Sequence, residues 1–201
     1  MLLHGLWCDR SWWTEPGYVD ELKSDHRLVC MDIRGHGESD EPHEPAAYTS
    51  DVLITDVLAV ADAQGMDRFA IWGHSYGGWI AWMTAAVAPQ RVPAIVITGE
   101  WDPRPRPEPT EVDPYNEAIR RGGMGALVDR FKIDDGAAYE REFPPWAKAV
   151  TLRADPEAML AAAGSPEQWA DGIPEETLRS FPVPALLIGG SWMTWTTTPR
   201  P

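Results

Sequence analysis

Gly73-His74-Ser75-Tyr76-Gly77 is the stretch of this 201-residue chain whose residue types and spacing could do chemistry. It follows an apolar run, Phe69-Ala70-Ile71-Trp72, and leads into a helix-like segment over 78–88. A serine at such a strand-to-helix corner is held in a strained backbone geometry that lifts its hydroxyl clear of the sheet. Glycines on either side let neighbouring segments pack close. The helix beginning there aims unpaired N–H groups at whatever the serine attacks. The competing reading is a glycine-rich turn with an incidental serine; the strand before it and the helix after it weigh against that.

The elements that must position the serine can be read outward from it. Met1-Leu2-Leu3 reads as the end of a buried strand running into a His4-Gly5 turn. A second buried strand over 27–32 opens into the glycine-rich loop Ile33-Arg34-Gly35-His36-Gly37-Glu38-Ser39. With neither a GK[ST] ending nor GxGxxG spacing, that loop is a poor phosphate cradle and reads as a tight turn. A short helix and loop are expected over 11–25. Thr49 or Ser50 caps a helix to about residue 64, with Leu53, Ile54, Val57, Leu58 and Ala61 on one face and Gly65 fitting the left-handed stop. Residues 67–72 form the strand feeding the corner, and 93–99 a further apolar strand. This alternation of helices with continuously apolar strands predicts a parallel sheet covered on both faces.

From residue 101 the character changes. The proline-rich run over 102–109 suits neither helix nor central strand. Beyond it lie weak helices over 124–131, 145–154, 156–163 and 174–179, with no strong strand signal before 182–190 returns to the sheet. An all-helical insertion between two sheet strands predicts a lid over the sheet's ligand edge. The expected division is 1–100 as the first part of a core, 101–180 as a helical lid or cap, and 181–201 as a later core strand with an aberrant tail.

A formal net charge of −14 argues against nucleic acid or an anionic membrane as partner. Eleven tryptophans include Trp7, Trp12, Trp13, Trp72, Trp79, Trp82 and Trp101 near the serine corner. Core packing accounts for most of them, and an aromatic-lined pocket for an apolar substrate is the sharper reading. Cys8 and Cys30 have no metal-ligand spacing and read as reduced thiols of a cytoplasmic protein. No metal or cofactor is expected, and oligomeric state is not legible. Neither a secretory leader nor an apolar run of membrane-spanning length is evident.

Taken in order, Leu2-Leu3-His4-Gly5, Asp32-Ile33-Arg34-Gly35-His36-Gly37-Glu38-Ser39 and Gly73-His74-Ser75-Tyr76-Gly77-Gly78 resemble the serine α/β-hydrolase superfamily, and 184–190 extends the match as its seventh strand. The resemblance implies an α/β-hydrolase fold, a mostly parallel sheet with helices on both faces and a helical lid. It makes Ser75 the nucleophile of an esterase-like enzyme that needs no cofactor. The oxyanion would be held by the backbone N–H groups of Tyr76 and Leu6. His74 would be structural. A hydroxyl nucleophile implies acyl transfer on a small, largely apolar substrate: an ester, lactone, amide, thioester or C–C bond beside a ketone. Epoxide hydrolases and dehalogenases of the fold need a carboxylate at that position.

The chain also departs from that pattern. The family's order is serine, acid, histidine, yet His4, His26, His36, His43 and His74 all precede or flank Ser75 and none follows. No base is identified, although His4 borders the site. Residues 191–201 contain no carboxylate where the acid is expected, which leaves Glu100 or Asp102 as substitutes, with a solvated turn the preferred reading of both. The chain is expected to be incomplete at both ends, lacking the first strands and the last strand and helix. Its tail is expected to be out of frame. The codons TGG ATG ACN TGG ACN under Trp192-Met193-Thr194-Trp195-Thr196, read one base earlier, encode apolar-Asp-Asp-apolar-Asp. A catalytically inactive hydrolase-fold protein that binds a small apolar ligand is the second reading.

Overall fold

A computed structural model of the chain describes residues 1–99, 102–105, 113–135, 143–163 and 172–189. Five short strands, β1 (Leu2–Leu3), β2 (Cys30–Met31), β3 (Ile71–His74), β4 (Ile95–Thr98) and β5 (Ala185–Ile188), pair in parallel in the order β2-β1-β3-β4-β5. The chain therefore leaves β1 toward one edge and, after β2, returns past β1 to build the rest of the sheet. That reversal falls between β1 and β3, so a crevice opens beyond their carboxyl ends, where open α/β sheets take their ligands. The His4-Gly5 turn follows one of these strands and Ser75 the other. Their register, Leu3 beside Gly73, puts turn and corner side by side.

Helix α1 (Ser11–Thr14), α2 (Tyr18–Leu22), α3 (Ser50–Ala63) and α4 (Tyr76–Val87) belong to the sheet's layers. Thr49 is the N-cap of α3 without a side-chain cap bond, and Gly65 takes φ +64° after its end. Leu53, Val57 and Ala61 of α3, with Trp79, Ile80, Ala81 and Ala85 of α4, close over Ile71, Ile95 and Ile97 as the main core. Strands β3 and β4 alternate buried and half-buried residues, so one face of the sheet is closed more tightly than the other. The second face carries Trp72, His74, Val96 and Thr98, and there the α1 residue Trp13 sits edge-on to Trp72. One strand, β2, departs from the expectation that it is buried. As an edge strand, β2 is a half-buried pair of residues. All four residues of β5, the opposite edge, are exposed.

Among the described residues, four more helices, α5 (Pro114–Asp135), α6 (Pro145–Arg153), α7 (Pro156–Ala163) and α8 (Glu175–Arg179), lie between β4 and β5. The first is longer than expected. Asp113 accepts the N–H groups of Tyr115 (2.8 Å) and Asn116 (3.0 Å), and Pro114 opens the first turn, so a helix begins ten residues early. It breaks at Gly122 (φ −155°, ψ 22°) and Gly123 (φ 65°, ψ −160°) before resuming. Ile119, Met124, Leu127, Ala158 and Met159 make a second core, seated on Leu6 and Trp7 just past β1.

Candidate active site

Ser75 joins β3 to α4 at φ 48°, ψ −113°, a strained backbone for a residue with a Cβ. Its N–H donates to Thr98 O (2.8 Å) and its carbonyl accepts Gly78 N–H (2.8 Å) and Trp79 N–H (3.1 Å), so ladder and helix pin it from both sides. The flanking glycines are sterically required. A Cβ on Gly73 would lie 2.2 Å from Gly77 O, and one on Gly77 only 2.3 Å from Leu3 O. Gly77 N–H also donates to His4 O (3.1 Å), which ties α4 to the turn after β1. A Cβ on Gly5 would sit 3.5 Å from the Ser75 Cβ, so this turn passes in contact with the serine.

The next residue is Leu6, and among the described residues no group accepts its N–H. Tyr76, which follows the serine, opens the first turn of α4, where helical N–H groups point outward. The turn and the corner thus lie side by side at the reversal point. The Ser75 hydroxyl makes no hydrogen bond among the described residues.

Each histidine near the site is committed. His4 is fully buried; Ile33 N–H donates to its Nε2 (3.0 Å), which fixes the proton on Nδ1, 2.8 Å from Gly5 O. A second proton on Nε2 would evict the Ile33 N–H, and burial lowers the pKa to about 4. His4 is therefore a brace for the turn, not a base. His36 lies edge-on to it at 5.0 Å, with Nδ1 2.9 Å from Arg34 O and its pKa lowered to about 3 by burial. The loop carrying His36 is the expected tight turn, with Gly35 at φ 83° and Gly37 at φ 62°, and Asp32 accepts Glu38 N–H (3.1 Å) across it. His74 stacks on Trp12 (4.4 Å between centroids) with Nδ1 3.3 Å from Thr98 Oγ1, and burial lowers its pKa to about 4. It stands on the sheet face that also carries Trp72. His43 lies away from the serine, between Asp155 (3.2 Å) and Glu157 (3.0 Å).

Of the two candidate acids, Asp102 is held by Arg104, whose Nε and Nη2 lie 2.9 Å and 2.5 Å from its two oxygens. The Arg104 side chain of this pair is exposed and that of Asp102 partly buried. Glu100 and residues 190–201, the tail with its frame reading included, lie outside the described residues. Cys8 is not a rival nucleophile, because burial pushes its thiol up to about 12. Among the described residues no group of three His, Cys, Asp or Glu side chains could hold a metal, and no helix is long and apolar enough to cross a membrane.

Trp101 lies outside the described residues, and several of the other tryptophans are buried. Trp13, Trp79 and Trp82 are core. Trp7 and Trp12 instead flank the serine corner, and Trp12 also meets Trp146 of α6 (5.6 Å). A polar cleft of about 370 Å³ opens beside the turn, lined by Asp9, Arg10, Asp32, Glu38 and Arg153 among others, with Ser75 outside it. Sequence reasoning missed the backbone of Trp7, which takes φ 64° without being glycine. It also missed Thr151 of α6, whose hydroxyl reaches Trp7 O (3.3 Å).

Comparison with known proteins agrees with this architecture. A family profile described as the alpha/beta hydrolase fold matches residues 1–199. Over 97 residues the chain is 35% identical to epoxide hydrolase 4 of Mus musculus, covering 48% of this chain and 26% of that protein. It is 32% identical over 142 residues to a serine hydrolase-like protein of Danio rerio, covering 71% of this chain and 40% of that one. The solved enol-lactonase from Burkholderia xenovorans LB400 superposes with a TM-score of 0.77 at 27% identity, covering 94% of this chain and 71% of the lactonase. The chain thus spans between a quarter and a half of these curated relatives.

Proposed function

The chain belongs to the α/β-hydrolase fold family, and on that premise we propose that it is a serine hydrolase attacking an acyl carbon with Ser75. The observation that supports this best is the strained corner at Ser75 with the Gly5-Leu6 turn against it. In this reading Ser75 Oγ adds to the carbonyl carbon, and the resulting oxyanion is held by the N–H groups of Leu6 and Tyr76. Removing one such preorganised donor typically costs about 3–4 kcal/mol of transition-state stabilisation. Helices α5 to α7 are the lid, and the aromatic surroundings, Trp7, Trp12 and Trp146, favour a small, largely apolar ester, lactone, amide or ketone-adjacent C–C bond. A hydroxyl nucleophile forms an acyl ester that water can cleave, whereas its alkylation by an epoxide would leave a stable ether. That chemistry sets this site apart from covalent epoxide opening.

One observation favours a second reading, a hydrolase-fold protein that binds a small apolar ligand without turnover. His4, His36 and His74 are buried and engaged, and His43 is paired elsewhere, so the described residues hold no base for Ser75. A fluorophosphonate probe separates the two. Stoichiometric labelling of Ser75, lost in Ser75→Ala, is the outcome expected of a hydrolase. A folded chain that binds apolar esters yet never labels would leave the ligand-binding reading standing.

A further inference from the structure

Two buried polar atoms are left without a partner where α5 meets the turn beside the serine. Asn116 of α5 is only 7% exposed, and its Oδ1 has no hydrogen-bond partner among the described residues. The Trp7 indole Nε1–H is likewise closed off from solvent and unpaired. Sealing a polar group away from water without a partner costs stability, and native chains keep few of them. The helix start uses only the main chain of Asn116, whose N–H donates to Asp113 (3.0 Å). Three other such atoms, on Trp13, His36 and Trp82, belong to α1, the loop after β2 and α4.

Asn116 and Trp7 belong instead to a single contact. Tyr115, the neighbour of Asn116, packs its ring 5.6 Å from that of Trp7. Ile119, on the same face of α5 as Asn116, lies in the apolar cluster against which Leu6 and Trp7 pack. The turn carrying Trp7 begins at Gly5, where an added Cβ would sit 3.5 Å from the Ser75 Cβ. The two unpaired atoms are of opposite kinds, one donor and one acceptor. A hydroxyl satisfies both, since its oxygen accepts the indole N–H and its proton goes to the amide carbonyl. An apolar ligand would leave both unpaired.

We propose that Asn116 and Trp7 form a hydroxyl-recognition subsite under α5, so that the acyl substrate is a largely apolar one bearing a hydroxyl. The inference rests on the reading of Ser75 as the group that attacks that substrate. Both atoms are closed off as the helices sit, and the hydroxyl enters as the first half of α5 lifts from the turn. Gly122 and Gly123 interrupt the helix behind that half and let it turn separately.

The test compares p-nitrophenyl butyrate with its 2-hydroxy and 3-hydroxy counterparts. It reads the second-order rate of Ser75 acylation, normalised to each ester's uncatalysed hydrolysis. Wild type should favour a hydroxy ester over butyrate by at least about tenfold. Asn116→Leu keeps the shape and removes the amide, and Trp7→Phe removes the indole N–H; each should bring the ratio to within about twofold of unity. Thermal melts should find Asn116→Leu no less stable than wild type, because it loses no side-chain hydrogen bond. A ratio near unity in wild type would overturn the proposal, as would a preference retained in either variant. A marked loss of stability in Asn116→Leu would also overturn it, by assigning the amide a structural role. If wild type acylates with none of the esters, the Ser75 reading fails first and the subsite is judged by binding alone. Titration with 2- or 3-hydroxybutyramide should then shift the Trp7 indole N–H and Asn116 side-chain amide resonances, and butyramide should not. Resonances unmoved by every compound, or moved equally by all, would sink it.

Discussion

Ser75 is held where it is by neighbours that have no side chains, and that makes the corner sensitive to single carbons. In Gly77→Ala the new Cβ would face two backbone carbonyls, Leu3 O at 2.3 Å and His4 O at 2.6 Å, neither able to swing aside. We expect a loss of at least about 3 kcal/mol, read as a lowered urea midpoint. The buried histidines give a second prediction at this scale. His4, His36 and His74 have folded-state values of about 4, 3 and 4, below the usual 6.5, so between those limits the unfolded chain binds more protons. Stability must then fall as pH drops below about 6.5, by on the order of 3 kcal/mol for His4 alone by pH 4. The buried Met1 amine, lowered to about 6, carries a shallower slope up toward pH 8. Urea melts from pH 8 to 4 would show it, and a flat profile would contradict the neutral, buried state of these rings. The serine and its glycines were legible because sequence neighbours impose their geometry. The contact of Thr151 with Trp7 was not, since the two lie 144 residues apart in the chain.

Among the elements, α5 shows how glycines with different backbones carry opposite predictions. Gly123 has φ 65° at the break, where a Cβ is strained whatever the space around it. Gly125 lies in the resumed helix with nothing within 4 Å of an added Cβ. Gly123→Ala should therefore destabilise by about 1–2 kcal/mol and Gly125→Ala stabilise by about 0.5–1 kcal/mol, a contrast that thermal melts can read directly. The start of α5 was legible in principle, since Asp113-Pro114 is a cap followed by a first-turn proline, and it was overlooked because the Gly122-Gly123 pair interrupts the helical period. The sheet was easier. Runs such as Ala94-Ile95-Val96-Ile97 are apolar enough to declare strands, and helix-to-strand alternation sets their parallel sense. What those runs do not encode is which face is covered: β3 and β4 bury every second residue because α4 lies on one side and Trp13 covers only part of the other.

For the whole molecule, the sheet order places β1 and β3 side by side at the point where the chain reverses, and this arrangement, more than any single motif, brings the His4-Gly5 turn beside Ser75. The far edge of the same sheet is a liability. Leu186, Leu187 and Ile188 of β5 are 58%, 64% and 46% exposed on an edge strand. Apolar edges of this kind recruit other strands, so Leu187→Lys should raise the soluble fraction on expression and reduce light scattering on heating. The central claim, that this architecture makes Ser75 an acyl-transfer nucleophile, is tested most directly by mixing the chain with p-nitrophenyl acetate, quenching in acid and locating the acyl group by peptide mass spectrometry. We predict an acetyl group on Ser75, absent from Ser75→Ala, formed as the serine oxygen displaces p-nitrophenolate and its hydroxyl proton passes to solvent. A folded chain with no adduct at Ser75, or with the same adduct surviving in Ser75→Ala, would contradict the account.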